Sequence, residues 1–571
     1  MRTRSEEAVG TSSTSGPSKP GSDLSGLGGV LGAVLVLLLG CGSGPPGGGT
    51  PEEVALQPGV DVRRYVADLN LEPEKRRLSG TAELELTRPD TLTRLRLFLA
   101  GMTIDSVRAS GRPVSYRRSG DTLRVELPAG ETETELIIAY RGVPSAGLYR
   151  RSFAGQPVVF TDSWPTRARH WLPSVDVPSD PAKFSLELTV PAGYETVANG
   201  VQTARRTGGP AGGEDSEAGS AGGSASANRS GGDGSSGTVT TEWSLGAPAP
   251  TYSLAFAVGD FAPTSTAAGD TLPVDYYLLD ADSAAASYLS RTPESLAFLR
   301  DQFGAYSYDN YRVVQVPIQY GGMENAALPF LNAELFQSGR GVESTQVHEA
   351  VHMWFGDRVV LERWRDLWLS EGVATYYTTR FYEHADGRGE ARRRWVRMVD
   401  IPPEELKNST VLVPDRPVDP NVFLTWVPYQ KGASVLHLLR RAIGEEPFAA
   451  AMRETYRRYR DEPISTPEFR AVLEEHADRP IDGLFAYWVY GDRLPTLRTS
   501  WDPEARRVSW TVEEDAGTLE DVPFELQVRA GDSTRYVSAA RGSYAVPEEV
   551  EVAGAPSVRP VGILMHVASE E

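Results

Sequence analysis

Val342–Phe355 reads VESTQVHEAVHMWF and is followed by Gly356. Val347, Ala350, Val351, Trp354 and Phe355 recur at i, i+3, i+4, i+7 and i+8, the period of a helix buried on one side, and Gly356 suits the residue just past its C-terminus. His348 and His352 are four apart, so they point from one face, one turn above the other, which lets two imidazoles grip one metal ion. Glu349 lies about 100° further round the helix, near enough to reach a water on that ion without binding the ion itself. A pair of satisfied core histidines is the plain alternative. It loses ground to Glu371, which follows His352 with 18 residues intervening and heads a second helical stretch, DLWLSEGVATYY. Two neutral imidazoles and one carboxylate leave the fourth position of a tetrahedral zinc ion open, the pattern of a catalytic rather than a structural site. One zinc ion, held by His348, His352 and Glu371, is therefore expected.

Around this centre the pattern is helical from about Ala284 to Arg493, with helices expected over Ala285–Phe303, Arg365–His384, Gly432–Ile443, Pro447–Tyr459, Pro467–His476 and Asp482–Tyr490. Upstream, short alternating runs such as Thr81–Leu86, Leu95–Leu99, Leu123–Leu127, Thr134–Ala139, Phe184–Val190 and Tyr252–Val258 indicate packed β-sheets. Thr207–Gly237 interrupts them with 23 Gly, Ser or Ala among 31 residues, too little apolar surface to order a loop. Strand patterns return over Leu497–Glu571, at Val508–Val512 and Phe524–Arg529. The expected organisation is α+β: a β-rich N-terminal domain over 56–265 with a disordered loop at 207–237, an α-rich catalytic domain over 266–493, and a small β-sandwich over 494–571.

The chain has 571 residues and a net charge of −20, a sign that argues against nucleic acid and against an anionic membrane surface as partners. Its one cysteine, Cys41, excludes an intrachain disulfide and a cysteine metal cluster. Arg2, Arg4 and Lys19 precede a 14-residue apolar run, Leu27–Gly40, which is shorter than the roughly 20 residues needed to span a bilayer. The run ends Leu38-Leu39-Gly40-Cys41 and resembles a bacterial lipoprotein signal. That resemblance implies a signal peptide over 1–40, lipidation of Cys41, a flexible tether over 41–55, and a place on the extracytoplasmic or periplasmic face of the bacterial cell envelope. Residues 1–40 hold three basic and three acidic side chains, so the mature chain keeps the charge of −20 and touches the membrane through its lipid alone.

The zinc pattern of HEXXH, 18 residues and Glu resembles the gluzincin peptidases, and further segments narrow the resemblance to the aminopeptidase N family, which includes leukotriene hydrolase. Gly321-Gly322-Met323-Glu324-Asn325 ends 23 positions before His348 and is similar to the family's exopeptidase motif. Trp364–Gly372 (WRDLWLSEG), Pro428–Leu439 (PYQKGASVLHLL) and Pro165–Pro173 (PTRARHWLP) with Asp176 match further family segments. The resemblance runs from about residue 60 to 495. It implies a thermolysin-like catalytic domain and a monomeric zinc aminopeptidase acting on peptides with a free N-terminus.

Zinc lowers the pKa of its water from about 15.7 to about 7, and Glu349 would take the proton and pass it to the leaving amine. By resemblance Tyr429 donates its phenol to the oxyanion, Glu324 anchors the substrate's ammonium, and the Gly321 and Gly322 backbone pairs with the extended substrate. Where the family often carries a Gln or Glu as a second amine contact this chain has Trp164, which leaves Asp162 as the substitute. Asp366 could orient a zinc ligand or simply face solvent at a helix start. A zinc endopeptidase, an epoxide hydrolase and a non-catalytic peptide-binding surface lipoprotein are the alternatives on the same scaffold.

Overall fold

The computed structural model describes residues 57–208, 237–269, 272–279, 283–402, 404–407, 409–415, 418–419, 424–520 and 522–569. The expectations for the signal, Cys41, the tether and most of the loop at 207–237 lie outside those residues.

Asp61–Glu72 lies near the middle of an eight-stranded sheet, antiparallel to Arg77–Thr87 and parallel to Ala182–Pro191. Strand alternation puts Tyr65, Ala67, Leu69 and Leu71 of the first strand, and Leu78, Ala82, Leu84 and Leu86 of the second, in the core. A four-stranded sheet contains Leu148–Phe153, Gln156–Thr161, Glu195–Ala198 and Phe256–Gly259. Trp171 ties the two sheets, its ring edge-on to Phe184 of one and Phe256 of the other. The strand expected over Tyr252–Val258 is divided: Thr251–Ser253 forms a buried 3-10 turn and only Phe256–Gly259 is extended. With all three turn residues buried, no alternation marks them.

The catalytic region holds a five-stranded sheet in the order Ala262–Ala268, Leu272–Leu278, Tyr311–Val316, Phe330–Asn332, Gly322–Met323. The domain boundary expected between 265 and 266 thus falls inside a strand. Tyr311–Val316 lies in a stretch read as mainly helical; all six of its residues are buried, which removes the alternation that reveals a half-exposed strand.

Among the described residues six longer helices complete the region, the first two against this sheet and the others packed mainly on one another: α1 (Thr292–Phe303), α2 (Val342–His352), α3 (Trp368–Met398), α4 (Gly432–Ile443), α5 (Glu445–Tyr459) and α6 (Thr466–His476). The expected Ala285–Phe303 helix is split into Ser283–Ser287 and α1, and that expected over Asp482–Tyr490 becomes Asp482–Leu484 followed by a π-helical turn, Phe485–Val489. The largest difference is α3, expected to end at His384. Gly387 breaks it at φ +81°, ψ 173°, and a further helical segment runs to Met398. Trp395 of that segment packs on Tyr376 at 5.8 Å between ring centres, so the chain has folded back along its own helix. The first turns of α3 and α4 touch backbone to backbone: a Cβ on Gly372 would lie 3.0 Å from the Gly432 Cα. Beyond residue 495 come a four-stranded and a three-stranded sheet that bury Leu497, Val508, Leu526 and Val528. Among the described residues no helix is long and apolar enough to cross a membrane.

Candidate active site

Helices α2 and α3 bring His348, His352 and Glu371 together with one ligand atom from each within 4.8 Å of the others. His348 Nε2 stands 3.2 Å and His352 Nε2 3.5 Å from the same carboxylate oxygen of Glu371. His352 is fully buried, and its Nδ1 faces the Phe355 carbonyl at 3.1 Å and the Ser370 hydroxyl at 3.0 Å. A carbonyl only accepts, so Nδ1 carries the proton and the Nε2 lone pair turns inward. That buried Nε2 has no hydrogen-bond partner. Two imidazole nitrogens and a carboxylate, one nitrogen of them left without a protein partner, form the donor set of a catalytic zinc ion.

The backbone around His352 is fitted to this orientation. Gly356 sits at φ +127°, and a Cβ there would come within 2.8 Å of Ser370 Oγ and 3.0 Å of His352 Nδ1. Its carbonyl accepts a 2.8 Å hydrogen bond from the Tyr252 hydroxyl, so the buried 3-10 turn of the β-rich domain braces the end of α2. Ser370 adjoins Glu371 in the sequence, but nothing in LWLSEG marks its hydroxyl as turned toward a histidine.

Glu324, Glu349, Tyr429 and the ligands open onto one cavity of about 160 Å³. Gly322 and Met323 form the edge strand of the five-stranded sheet, paired on one side with Phe330–Asn332. A Cβ at Gly322 would fall 2.2 Å from Glu349 Oε1 and 2.7 Å from Thr345 Cγ2, so the missing side chain lets the strand and this carboxylate lie together without displacing either. Tyr429 lies in a π-helical turn, Val427–Lys431, that leads into α4, and its ring stacks on His348 at 6.1 Å and 15°. The Gly372–Gly432 contact holds this turn against the start of α3, one residue beyond Glu371.

Burial dominates the electrostatics. It pushes the Glu349 carboxyl well above the usual carboxylate range, with His352 opposing and Glu324 and Glu371 adding to the rise. Burial likewise raises Glu324 to about 7. Glu371 is buried too, but the charge of the nearby His352 and the hydrogen bond with His348 outweigh that cost and hold it at about 2. For His352 the three carboxylates overcome burial and raise it to about 10. The pocket therefore favours a cation among these groups, and a bound metal ion takes the place of the imidazolium proton. Burial, and then Glu371 and Glu324, keep the Tyr429 phenol protonated far beyond neutral pH.

Not every expected residue lines the cavity. Asp162 and Asn325 do not, whereas Trp164, Tyr320, Gly321 and Gly322 do. Arg167 donates to the Asp162 carboxylate at 2.8 Å and to the Tyr320 hydroxyl at 3.2 Å, so the buried acid has its counter-ion already. Asp366 neither orients a ligand nor faces solvent: it is buried and accepts from Thr466 N at 3.0 Å and Thr466 Oγ1 at 2.6 Å, tying the start of α3 to α6. Arg394 and Arg397, from the segment beyond Gly387, also line the cavity, and no sequence pattern pointed to them.

Two family models match the chain, the Peptidase M1 N-terminal domain over residues 62–211 and the Peptidase family M1 domain over residues 288–488. Glutamyl aminopeptidase of Sus scrofa is 24% identical over 472 residues, 75% of this chain and 47% of that protein. Leukotriene A-4 hydrolase of Xenopus laevis is 24% identical over 488 residues, covering 79% of this chain and 75% of its own length. The chain thus spans about half the length of the glutamyl aminopeptidase it matches. An M1 zinc metallopeptidase from Deinococcus radiodurans, in a mutant form bound to a Tyr-Ser-Ala substrate, is 25% identical with a TM-score of 0.63, covering 76% of this chain and 96% of that one.

Proposed function

The chain belongs to peptidase family M1, and on that footing we propose that it is a zinc aminopeptidase removing the first residue of peptides with a free N-terminus. One observation carries the reading: the buried His348, His352 and Glu371 donor set shares a cavity with Glu324, a second buried carboxylate suited to an ammonium group. The Deinococcus radiodurans relative with its bound Tyr-Ser-Ala supports a peptide as substrate.

His348, His352 and Glu371 would hold the zinc ion, which would supply the Lewis acidity that activates a water and polarises a carbonyl. Glu349, in the same cavity as the ligands, would accept the water's proton and return it to the departing amine. Tyr429, still protonated, donates to the oxygen that becomes negative in the transition state. Glu324 loses its burial penalty when a substrate ammonium pairs with it, so the free N-terminus is recognised by charge. That contact, set beside the metal, limits cleavage to the first peptide bond. The open edge of Gly322–Met323 offers backbone groups to an extended substrate lying along it. Asp162 acts on this site through Arg167 and Tyr320 rather than by touching the amine.

Chelator-sensitive release of arylamine from aminoacyl-arylamides tests the reading. Equal rates on free and N-acetylated forms would contradict it and favour an endopeptidase-like hydrolase.

The lipobox-like ending of Leu27–Gly40 at Cys41 supports attachment to the bacterial cell envelope, on its periplasmic or extracytoplasmic face, by a lipid on Cys41. Metabolic labelling with a radioactive fatty acid checks this: the label is expected on the wild-type chain and not on Cys41→Ser.

A further inference from the structure

The far part of the catalytic cavity differs in charge from the zinc end. Thr375, Thr378 and Thr379 line it along α3, and Thr378 and Thr379 lie seven and eight residues beyond Glu371. At 1.5 Å rise per residue the cavity follows the helix for about 11 Å from the metal ligand. Past Gly387 the chain returns alongside, and it brings Arg394, Arg397 and Met398 to the same wall. Their i, i+3, i+4 spacing puts all three on one helix face.

Three guanidinium groups converge here on a single carboxylate. Glu390 lies 2.8 Å from Arg393, 3.1 Å from Arg394 and 3.4 Å from Arg397. Arg394 is mostly buried, with its guanidinium over the Tyr382 ring and its Nε paired with Glu390. Burial lowers the Arg397 pKa, and Arg394 adds to the fall against Glu390. Like charges crowded around one anion are stabilised by another anion entering the cavity, and guanidinium groups match a carboxylate in two-point geometry.

Resting on the aminopeptidase reading, we propose that Arg394 and Arg397 form a carboxylate subsite, so that the enzyme prefers substrates carrying a second charged group, negative, about a dipeptide's length from the zinc. The anion is a carboxylate from one of two sources: the C-terminus of a short peptide, or an acidic side chain. An extended chain advances about 3.3–3.6 Å per residue, so the C-terminus of a tripeptide falls within reach of long arginine side chains.

The test uses the zinc-loaded chain and two matched substrate pairs, Ala-Ala-Ala against its C-terminal amide, and Ala-Glu-amide against Ala-Gln-amide. Wild type is expected to favour the acid of one pair in kcat/KM by roughly ten- to hundredfold, as for a charge-assisted hydrogen bond. The preference should collapse in the Arg394→Gln/Arg397→Gln double variant and survive in part in Arg397→Lys. Preference within the first pair assigns the C-terminus, and within the second the side chain. Calorimetric binding of Ala-Ala-Ala and its amide to the Glu349→Gln protein, with and without the arginine substitutions, gives a second ratio independent of turnover. Hydrolysis of all four substrates with no acid preference, or with one the arginine substitutions do not change, overturns the subsite and leaves the aminopeptidase reading standing. Failure to hydrolyse any of them overturns both.

Discussion

The two ends of the catalytic cavity are built from the same helix and differ in nearly every other respect. At one end Glu371 stands in the first turn of α3, pinned by the Gly372–Gly432 contact and by Asp366, and it meets two histidines from a neighbouring buried helix. At the other end Arg394 and Arg397 stand beyond the Gly387 break, on a segment that reaches the cavity only because the chain turns back. The first end concentrates negative charge in a fully buried setting, whereas the second gathers positive charge closer to solvent, with 40% of the Arg397 side chain exposed. Chemistry belongs where side chains are held most rigidly, and selectivity can sit on a surface that tolerates change.

Substitutions at the two ends should separate accordingly. Glu349→Gln removes the proton acceptor while leaving the ligand set intact. Turnover is expected to fall about 10²–10⁴-fold with one zinc per chain still found by elemental analysis. Near-normal turnover would place the general base elsewhere. Tyr429→Phe should cost about 10²–10³-fold in kcat with little change in KM, because its donated hydrogen bond matters in the transition state; steady-state kinetics on one arylamide decides between kcat and KM. Ser370→Ala leaves the His352 Nδ1 proton with the Phe355 carbonyl alone. Zinc affinity is expected to drop roughly 10–100-fold in a competition titration with a chelator, and activity to recover with excess zinc. At the small end of the scale, Asp366→Asn weakens the link from α3 to α6 by about 1–3 kcal/mol. A lower midpoint in chemical denaturation is expected, with the free-to-acetylated rate ratio of the folded protein unaltered.

The contrast also explains what could be read from the sequence. HEXXH and Glu371 are legible because helical spacing alone puts two imidazoles on one face and because few residue types bind zinc. Glu324 and Tyr429 were legible through the segments that carry them. The π-helical form of Val427–Lys431 was not, since a single extra backbone residue leaves no mark in apolar periodicity. Asp162 looked available as a lone acid near the motif, but its partner Arg167 is five residues away and claims it only in three dimensions. The strand Tyr311–Val316 escaped because burial on both faces erases alternation. The run from Glu383 to Met398, EHADGRGEARRRWVRM, is dense in charge, and its part in the cavity depends on a reversal at Gly387 that no local pattern specifies. Long-range reversals of this kind separate the zinc end, which spacing encodes, from the arginine end, which only the fold creates.

One buried zinc site and one buried carboxylate together make the proposed exopeptidase. Its most direct test is the rate on an aminoacyl-arylamide and on its N-acetylated form, before zinc removal, after it, and after zinc is restored. Rapid release is expected from the free amine only, lost with the metal and regained with it. Comparable rates on both forms, or activity that persists without zinc, would contradict it.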